Sequence, residues 1–334
     1  MHNEELTQPA PANPNTTSPE PFTLATSDGF PIKGVRWRHS GTDFPTRPVV
    51  IINPATSVLC RYYFRFASFL FRHGFDVIAY DYRGIGESRP ARLRGFNASW
   101  VDWGYLDFDA VLRYAERSFP GQPIDVVAHS AGGFVLGFAK SNHLIRQIFT
   151  VGAQYAYWRD YAPHSRVRMF AKWHVAMPLF TTAFGYFPAK RLGWMEDTPK
   201  GVVREWANSR ARFEESWRGP SAARYRDKRA LVQQFTAIKA PILAVGITDD
   251  EFGTVPAIER LLVYFDKSAR THLRISPQSI QERQIGHFGF FNSRFEHKLW
   301  PLPLEWLMTG RIPAAFSRIQ THFAPESVLA ALSN

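Results

Sequence analysis

The stretch DVVAHSAGG, residues 125–133, decides the fold. Its first four residues are typical of a buried strand, and the small residues that follow let a helix begin at once. A serine, Ser130, stands at the corner between the two. Such a serine is either the N-cap of an ordinary helix or a nucleophile held at the end of a strand. The rest of the chain has to distinguish between these interpretations.

Apolar segments that read as strands alternate with helical segments along most of the chain. A hairpin is predicted from residues 22–26 and 32–37 around Ser27-Asp28-Gly29. Strands apolar on both faces are typical of a parallel sheet covered by helices on both sides. The chain is therefore predicted to have an α/β fold with a mostly parallel sheet. The strands are predicted at 49–53, 75–81, 124–129, 147–153, 241–247 and 271–277, and the helices near 61–72, 100–119, 131–140, 255–265 and 293–308.

The alternation is interrupted once, between about residues 152 and 236. This segment looks helical and broken by prolines, which predicts a helical cap or lid inserted into the α/β core. The domain organisation predicted is a flexible leader (1–20), a core in two parts (21–151 and 237–309), the cap (152–236) and a tail (310–334). The leader has neither the basic start nor the apolar stretch of a secretory signal, so a cytoplasmic location is expected. No run is apolar enough to predict a transmembrane segment.

The corner around Ser130 reads AHSAG and differs from the nucleophile-elbow pattern G-x-S-x-G only at Ala128. A serine nucleophile needs a base, and the base needs an acid to orient it. Both follow in the expected order. Asp249 and Asp250 come directly after the strand PILAVGI, and His287 lies in the loop QIGHFGFF after the last predicted strand.

Which aspartate is the acid stays open at this point. Asp250 is favoured, because the apolar Phe252 two residues later would anchor its loop. Asp249 is the alternative.

Seven motifs now carry a resemblance to a known family. Over roughly residues 22–309 the chain resembles the α/β-hydrolase superfamily. More narrowly, it is similar to bacterial predicted hydrolases related to the serine aminopeptidase (S33)-like branch. The motifs are NPATSV (53–58), AYDYRGIGES (79–88), AHSAGG (128–133), YWRDYA (157–162), MEDTPKGV (195–202), DDEFGT (249–254) and GHFGFF (286–291).

The resemblance implies Ser130 as nucleophile, His287 as base and Asp250 or Asp249 as acid. It also implies an oxyanion hole, with one backbone N–H from Ala131, the residue after the nucleophile. The second donor is expected from the loop after the strand 49–53.

Pro54 in that loop has no N–H, so the second oxyanion donor is expected at Ala55 or Thr56.

The charge of the chain is concentrated in the predicted cap. Fifteen Lys/Arg and seven Asp/Glu give residues 152–236 a charge of +8, out of +11 for the chain. A basic, aromatic lid is compatible with a small amphipathic substrate that carries an acidic group, with an ordinary solvated surface packed by aromatic rings, or with docking on an anionic membrane. The segment holds five of the ten tryptophans: Trp158, Trp173, Trp194, Trp206 and Trp217.

The function predicted is hydrolysis of a small-molecule ester, thioester or amide through a Ser-His-Asp triad and an acyl-enzyme. An acyltransferase on the same triad is the alternative. An alternative from another class is a basic nucleic-acid- or membrane-surface-binding protein without catalysis. No nucleic acid is expected, because no recognised binding motif is present.

No cofactor and no metal are expected, because the sequence has no H-E-x-x-H string and no cysteine ligand set. The single cysteine, Cys60, excludes an internal disulfide and is expected to be a buried packing residue rather than a nucleophile. The oligomeric state is not indicated by the sequence.

Overall fold

The computed structural model describes residues 19–40, 47–216, 225 and 227–316. They contain one eight-stranded sheet with the order β1-β2-β4-β3-β5-β6-β7-β8. β2 is antiparallel to both of its neighbours, and β3 to β8 are parallel to one another. The strands are β1 Glu20–Ala25, β2 Pro31–Trp37, β3 Val49–Asn53, β4 Asp76–Tyr80, β5 Ile124–His129, β6 Ile145–Val151, β7 Ile242–Ile247 and β8 Arg270–Ile275. The predicted α/β fold and its mostly parallel sheet are confirmed.

Helices cover both faces of this sheet. The α-helical segments outside residues 152–236 are Phe64–Arg72, Trp100–Asp102, Asp109–Ser118, Ala131–Val135, Val255–Leu262, Gly286–Gly289 and Pro301–Thr309, and a π-helical segment, Trp103–Phe108, joins the second to the third. Short 3-10 turns are Cys60–Tyr63, Gly86–Ser88, Leu136–Phe138, Asn142–Leu144, Trp158–Asp160, Gln234–Ala237, Pro277–Ile280, Ser293–Phe295 and Ala314–Phe316.

Two apolar layers hold the sheet between them, one on each face. Along β3, Val49 and Ile51 belong to one layer, and Val50 and Ile52 belong to the other. All five residues of this strand are buried. A strand buried on both sides is apolar at nearly every position, which explains the continuous apolar runs in the sequence.

The strand order places a crevice at the carboxyl ends of β3 and β5. β3 lies between β4 and β5, so the chain leaves β3 in one direction and returns on its other side. In an open parallel sheet, ligands bind at such a switch point. The loop after β3 and the Ser130 corner after β5 therefore meet where a site is expected.

The predicted helix at 293–308 is wrong in its extent. Residues Ser293–Phe295 form only a 3-10 turn, and the α-helix runs from Pro301 to Thr309. Proline lacks the N–H that a helix interior needs, but it is suited to the first turn of a helix. Gly310 ends the helix with φ 72°.

The predicted helix at 131–140 is also shorter, because α-helical geometry ends at Val135 and a 3-10 turn follows. Most of the predicted leader (1–18) and of the predicted tail (317–334) lies outside the described residues.

Residues 152–236, called the cap segment below, connect β6 to β7, which are neighbours in the sheet. Its longest helical stretch, residues 166–184, is called the cap helix. It consists of Arg166–Phe170, the π-helical Ala171–Ala176 and Met177–Phe184. Trp217 lies outside the described residues. The other helices of the segment are Lys200–Ala207, Phe213–Ser216 and Lys228–Gln233.

Within the ranges described above, no helix combines the length and the apolar character needed to cross a membrane.

Candidate active site

Ser130 occupies a strained corner between β5 and the following helix. Its backbone has φ 53° and ψ −128°, a region that residues with a side chain rarely adopt. The Ser130 N–H donates to the carbonyl of Val151 at the end of β6, over 2.9 Å. Its side chain makes no capping hydrogen bond to the helix. The helix N-cap interpretation therefore does not hold, and the strain is typical of a functional position.

The corner needs glycine after the serine because the loop after β3 lies directly against it. A Cβ atom on Gly132 would lie 2.5 Å from the carbonyl oxygen of Asn53 and 2.7 Å from that of Pro54. A Cβ on Gly133 would lie 2.5 Å from the Cβ of Ala153. The two glycines thus bring the corner into contact with the segments that follow β3 and β6.

His287 and Asp250 form a buried hydrogen-bonded pair. The His287 Nδ1–H donates to Asp250 Oδ2 over 2.7 Å, which leaves Nε2 to accept a proton. Asp250 Oδ1 accepts from the N–H groups of Phe252 (2.7 Å) and Gly253 (2.9 Å). Burial alone would raise the pKa of Asp250, but its interactions with His287 and these two N–H groups hold that pKa below its ordinary value.

Asp249 has a different position from Asp250. Its two carboxylate oxygens accept from the backbone N–H groups of Ile285 (2.9 Å) and Gly286 (3.0 Å). It holds the backbone that leads into His287, whereas Asp250 holds the imidazole itself. The geometry therefore separates the two aspartates that sequence reasoning left open.

Ser130 lies near the pair but is not hydrogen-bonded to His287 in this structure. Its hydroxyl oxygen accepts instead from Gln154 Nε2 over 3.3 Å. Gly152 packs directly against the pair, since a Cβ on it would be 3.2 Å from the His287 ring and 2.8 Å from Asp250 Oδ2. In unliganded enzymes such catalytic contacts are often loose and tighten with substrate.

Gln154 is itself held in one orientation. It is buried, and its Oε1 accepts a short hydrogen bond from the N–H of Ala156. Its amide nitrogen is therefore directed at the Ser130 oxygen.

A second buried histidine, His129, connects the parts of the site. Its Nε2–H donates to the carbonyl of His287 (2.9 Å), and its Nδ1 accepts from the Tyr63 hydroxyl (2.8 Å). The Tyr63 oxygen in turn accepts from the N–H of Ala55 (3.0 Å). Burial, and secondarily the nearby His287, lowers the pKa of His129 to about 3, so this ring stays neutral.

The hydrogen bonds from His129 through Tyr63 to Ala55 distinguish between the two expected oxyanion donors after β3. The N–H of Ala55 is engaged by Tyr63, whereas Ala131 is the first residue of its helix, so its N–H has no partner within that helix. Thr56 is fixed by its side chain, which accepts from Trp100 Nε1 over 2.9 Å. The geometry favours Thr56 over Ala55 for the donor after β3.

Sequence reasoning missed Gln154, Tyr63 and the role of His129. His129 stood in the quoted motif, next to the serine, and its position there was the one available signal. Gln154 carries no motif, because its direction depends on the positive φ of Gly152 (55°) and of Ala156 (58°).

One aromatic ring from the loop after β7 and two from the cap segment lie beside the His287 ring. The ring of Phe252 lies 4.8 Å from that of His287, and Trp173 (6.0 Å) and Trp206 (6.3 Å) surround Phe252. Trp173 and Trp206 stack on each other at 4.9 Å. These three rings, Phe252, Trp173 and Trp206, are called the aromatic wall below. They give the site an apolar neighbourhood.

Cys60 lies apart from this chemistry. Its side chain is buried, and burial, together with the nearby Asp81, raises the pKa of the thiol. A thiol that resists ionisation is a poor nucleophile. The position fits the expected packing role.

Comparison with known proteins decides the family. Residues 49–294, well over half of the chain, match the alpha/beta hydrolase family. The chain belongs to this family. The prediction of an enzyme with the α/β-hydrolase fold is confirmed, and the narrower likeness to the S33-like branch stays a prediction. A search of curated protein sequences gave no significant match.

Solved structures with the same fold cover most of this α/β hydrolase. A soluble variant of the monoglyceride lipase from Saccharomyces cerevisiae is 14% identical, with a TM-score of 0.60, over 91% of this chain and 99% of that one. The Pyrococcus furiosus esterase Pf2001 is 16% identical, with a TM-score of 0.53, over 92% and 98%. A puromycin-hydrolysing peptidase from Mycobacterium tuberculosis is 15% identical, with a TM-score of 0.53, over 91% of this chain and 41% of that one. At these identities the likeness concerns the fold.

Proposed function

We propose that this α/β hydrolase is a serine hydrolase that cleaves carboxylic esters through an acyl-enzyme on Ser130. The observation that carries the proposal is the 2.7 Å hydrogen bond between His287 and Asp250 at the sheet edge where Ser130 is held at φ 53°. A base oriented by an ionised acid, next to a strained serine, is the arrangement that nucleophilic acyl transfer requires.

The reaction begins with a rotation of the Ser130 hydroxyl from Gln154 towards His287 Nε2. The imidazole takes the hydroxyl proton while the serine oxygen attacks the ester carbonyl. The carboxylate of Asp250 stabilises the imidazolium that results. Its lowered pKa keeps it ionised at neutral pH.

The tetrahedral intermediate carries its negative charge on the former carbonyl oxygen. The N–H groups of Ala131 and Thr56 donate to that oxygen. When the intermediate collapses, His287 protonates the leaving alcohol, and the acyl group remains on Ser130. A water molecule, deprotonated by His287, then releases the carboxylic acid and restores the serine.

The substrate class follows from the neighbourhood of the reacting groups. The aromatic wall favours an apolar acyl group. The esterase and the monoglyceride lipase among the structural neighbours support an ester, and the puromycin-hydrolysing peptidase makes an amide the alternative. The acidic group predicted from the charge of the cap stays a prediction, because exposed Arg168 and Lys190 have the carboxylates of Glu251 and Glu196 as partners. Comparison of kcat/KM for matched neutral and anionic esters tests whether the substrate carries an acidic group.

The proposal is tested by rapid-mixing kinetics on p-nitrophenyl esters of short and medium acyl chains. We expect a burst of about one equivalent of nitrophenol per active site, followed by slower turnover, and no burst from Ser130→Ala. Turnover that Ser130→Ala retains would contradict the assignment. Product analysis with added alcohol or coenzyme A separates hydrolysis from acyl transfer.

A further inference from the structure

The cap helix exposes an unusual number of apolar side chains. Of the nine large hydrophobic side chains that are exposed in the described residues, six lie on this helix. We call these six the exposed cap face. They are Val167 (83% exposed), Phe170 (36%), Val175 (45%), Leu179 (66%), Phe180 (37%) and Phe184 (40%). A cluster of exposed apolar side chains of this kind marks an interaction surface.

Basic residues outnumber acidic residues around the exposed cap face. Residues 161–195 contain five Lys/Arg and no Asp/Glu. Arg94, from the loop after β4, adds a cation where the helix ends, since a Cβ on Gly185 would lie 2.9 Å from Arg94 Cγ. Two carboxylates reach this rim: Glu251 pairs with Arg168 over 2.5 Å, and Glu196 pairs with Lys190 over 3.6 Å. The five basic residues are Arg166, Arg168, Lys172, Lys190 and Arg191.

The opposite side of the cap helix packs against the protein interior. Met169, Trp173 and Met177 are buried, and Trp173 stacks on Trp206 in the aromatic wall. The helix therefore separates the apolar interior beside the site from an apolar, basic exterior. A helix with one apolar outer face and only basic charges has the composition of an interfacial helix.

We propose that the exposed cap face docks on an anionic lipid membrane, with the cap helix lying in the plane of the interface. The apolar side chains enter the acyl boundary, and the basic rim contacts the anionic headgroups. A second copy of the chain fits this surface poorly, because a two-fold contact would place the basic rim against itself. Docking does not depend on the proposed hydrolysis.

The test is co-sedimentation of the full chain with vesicles. We expect binding to phosphatidylcholine vesicles that contain phosphatidylglycerol, and binding about tenfold weaker or less to phosphatidylcholine alone or in high salt. The double variant Val167→Glu/Leu179→Glu removes the two most exposed side chains of the face. It is expected to bind anionic vesicles at least about tenfold more weakly, while hydrolysis of a dissolved short-chain ester is unchanged.

A matched control is Met308→Glu, at a side chain that is 58% exposed. It lies near the amino-terminal end of β6, because the carbonyl of its neighbour Leu307 accepts from Arg146. This control is expected to bind like the unaltered chain. If the glutamate variant loses its fold by circular dichroism, Val167→Ser/Leu179→Ser replaces it.

Three results would overturn the proposal. The first is that the unaltered chain binds no anionic vesicle at low salt. The second is that a folded double variant binds as well as the unaltered chain. The third is a concentration-dependent dimer that the double variant abolishes, which would assign the face to a second copy.

Discussion

The carboxyl edge of the sheet and the cap segment are built in different ways. At the edge, directed hydrogen bonds position the side chains of the site, as with Asp250 on His287 and Asp249 on the backbone before it. In the cap, the rings of Trp173 and Trp206 contact each other and Phe252 without a directed bond between them. Directed hydrogen bonds fix a geometry closely, whereas stacked rings fix mainly a shape. We infer that the edge supplies the chemistry and the cap supplies the choice of acyl group.

The largest expected effect separates the two aspartates of the edge. Asp250→Asn removes the negative charge that stabilises the His287 imidazolium, so kcat/KM for an ester should fall by roughly 10³ to 10⁴. Asp249→Asn keeps one oxygen that accepts from the backbone, so kcat/KM for the same ester should fall by only about tenfold. Steady-state kinetics on one p-nitrophenyl ester measure both. Equal losses in the two variants would mean that Asp250 has no special part in the chemistry.

The next effect concerns Gln154. Gln154→Ala removes the N–H donor to the Ser130 oxygen, and kcat should fall by roughly tenfold with KM little changed. Gln147 is a matched control, a buried glutamine on β6 whose amide donates to the carbonyl of Trp306. Gln147→Ala should lower the thermal midpoint without lowering kcat of the folded fraction. A drop in kcat of similar size in both variants would remove Gln154 from the site.

In the cap, the expected effect is on selectivity rather than on rate. Trp173→Ala shortens the aromatic wall, so KM should rise about tenfold for a medium-chain ester and change little for an acetate ester. Trp158→Ala is the control, because its ring contacts the partly exposed Phe170 instead of Phe252. Kinetics across an ester series check this. An equal loss for every chain length would place Trp173 in the chemistry and break the division between edge and cap.

The smallest effect on activity is expected at Glu205, which joins the cap to the core. Its buried carboxylate accepts from the N–H of Trp100 over 2.6 Å. Burial, together with the charge of Asp102, raises its pKa to about 8. The folded protein therefore keeps a proton there that the unfolded chain releases above its ordinary pKa of 4.5. The free energy of unfolding should fall as the pH rises from about 5 to 8.

Glu205→Gln should remove part of that slope, about 1–3 kcal/mol across the window, which denaturant unfolding at several pH values measures. Glu116→Gln, at an exposed glutamate, reports the effect of losing a carboxylate from the surface. An unchanged slope in Glu205→Gln would show that this carboxyl keeps no proton in the folded state.

Much of the fold follows from local sequence, because a strand buried on both faces is apolar over most of its length, as β3, β5 and β7 are. The Ser130 corner can also be predicted from local sequence, because small residues are required where a helix starts directly against a strand. The start of the last helix could not be predicted in the same way. The apolar periodicity of residues 293–308 indicates one continuous helix, whereas the helix starts at Pro301.

Within the site, Phe252 favours Asp250 over Asp249 in the sequence, but which carboxylate faces the imidazole depends on the tertiary fold of the loop. The contact between Gln154 and Ser130 could not be predicted from the sequence either. It depends on the backbone turns around Gln154 and not on the spacing between the two residues. The sequence predicts a helical cap, but the side of the cap helix that faces outwards depends on the tertiary contacts of Trp173.

The central claim is that Ser130 is the nucleophile activated by His287. The most direct measurement is labelling of the full chain with a fluorophosphonate probe, followed by mass mapping of the modified peptide. The account predicts a single adduct on Ser130, absent from Ser130→Ala and formed at least about 10² times more slowly in His287→Ala. An adduct on another residue, or equal labelling of all three proteins, would contradict it.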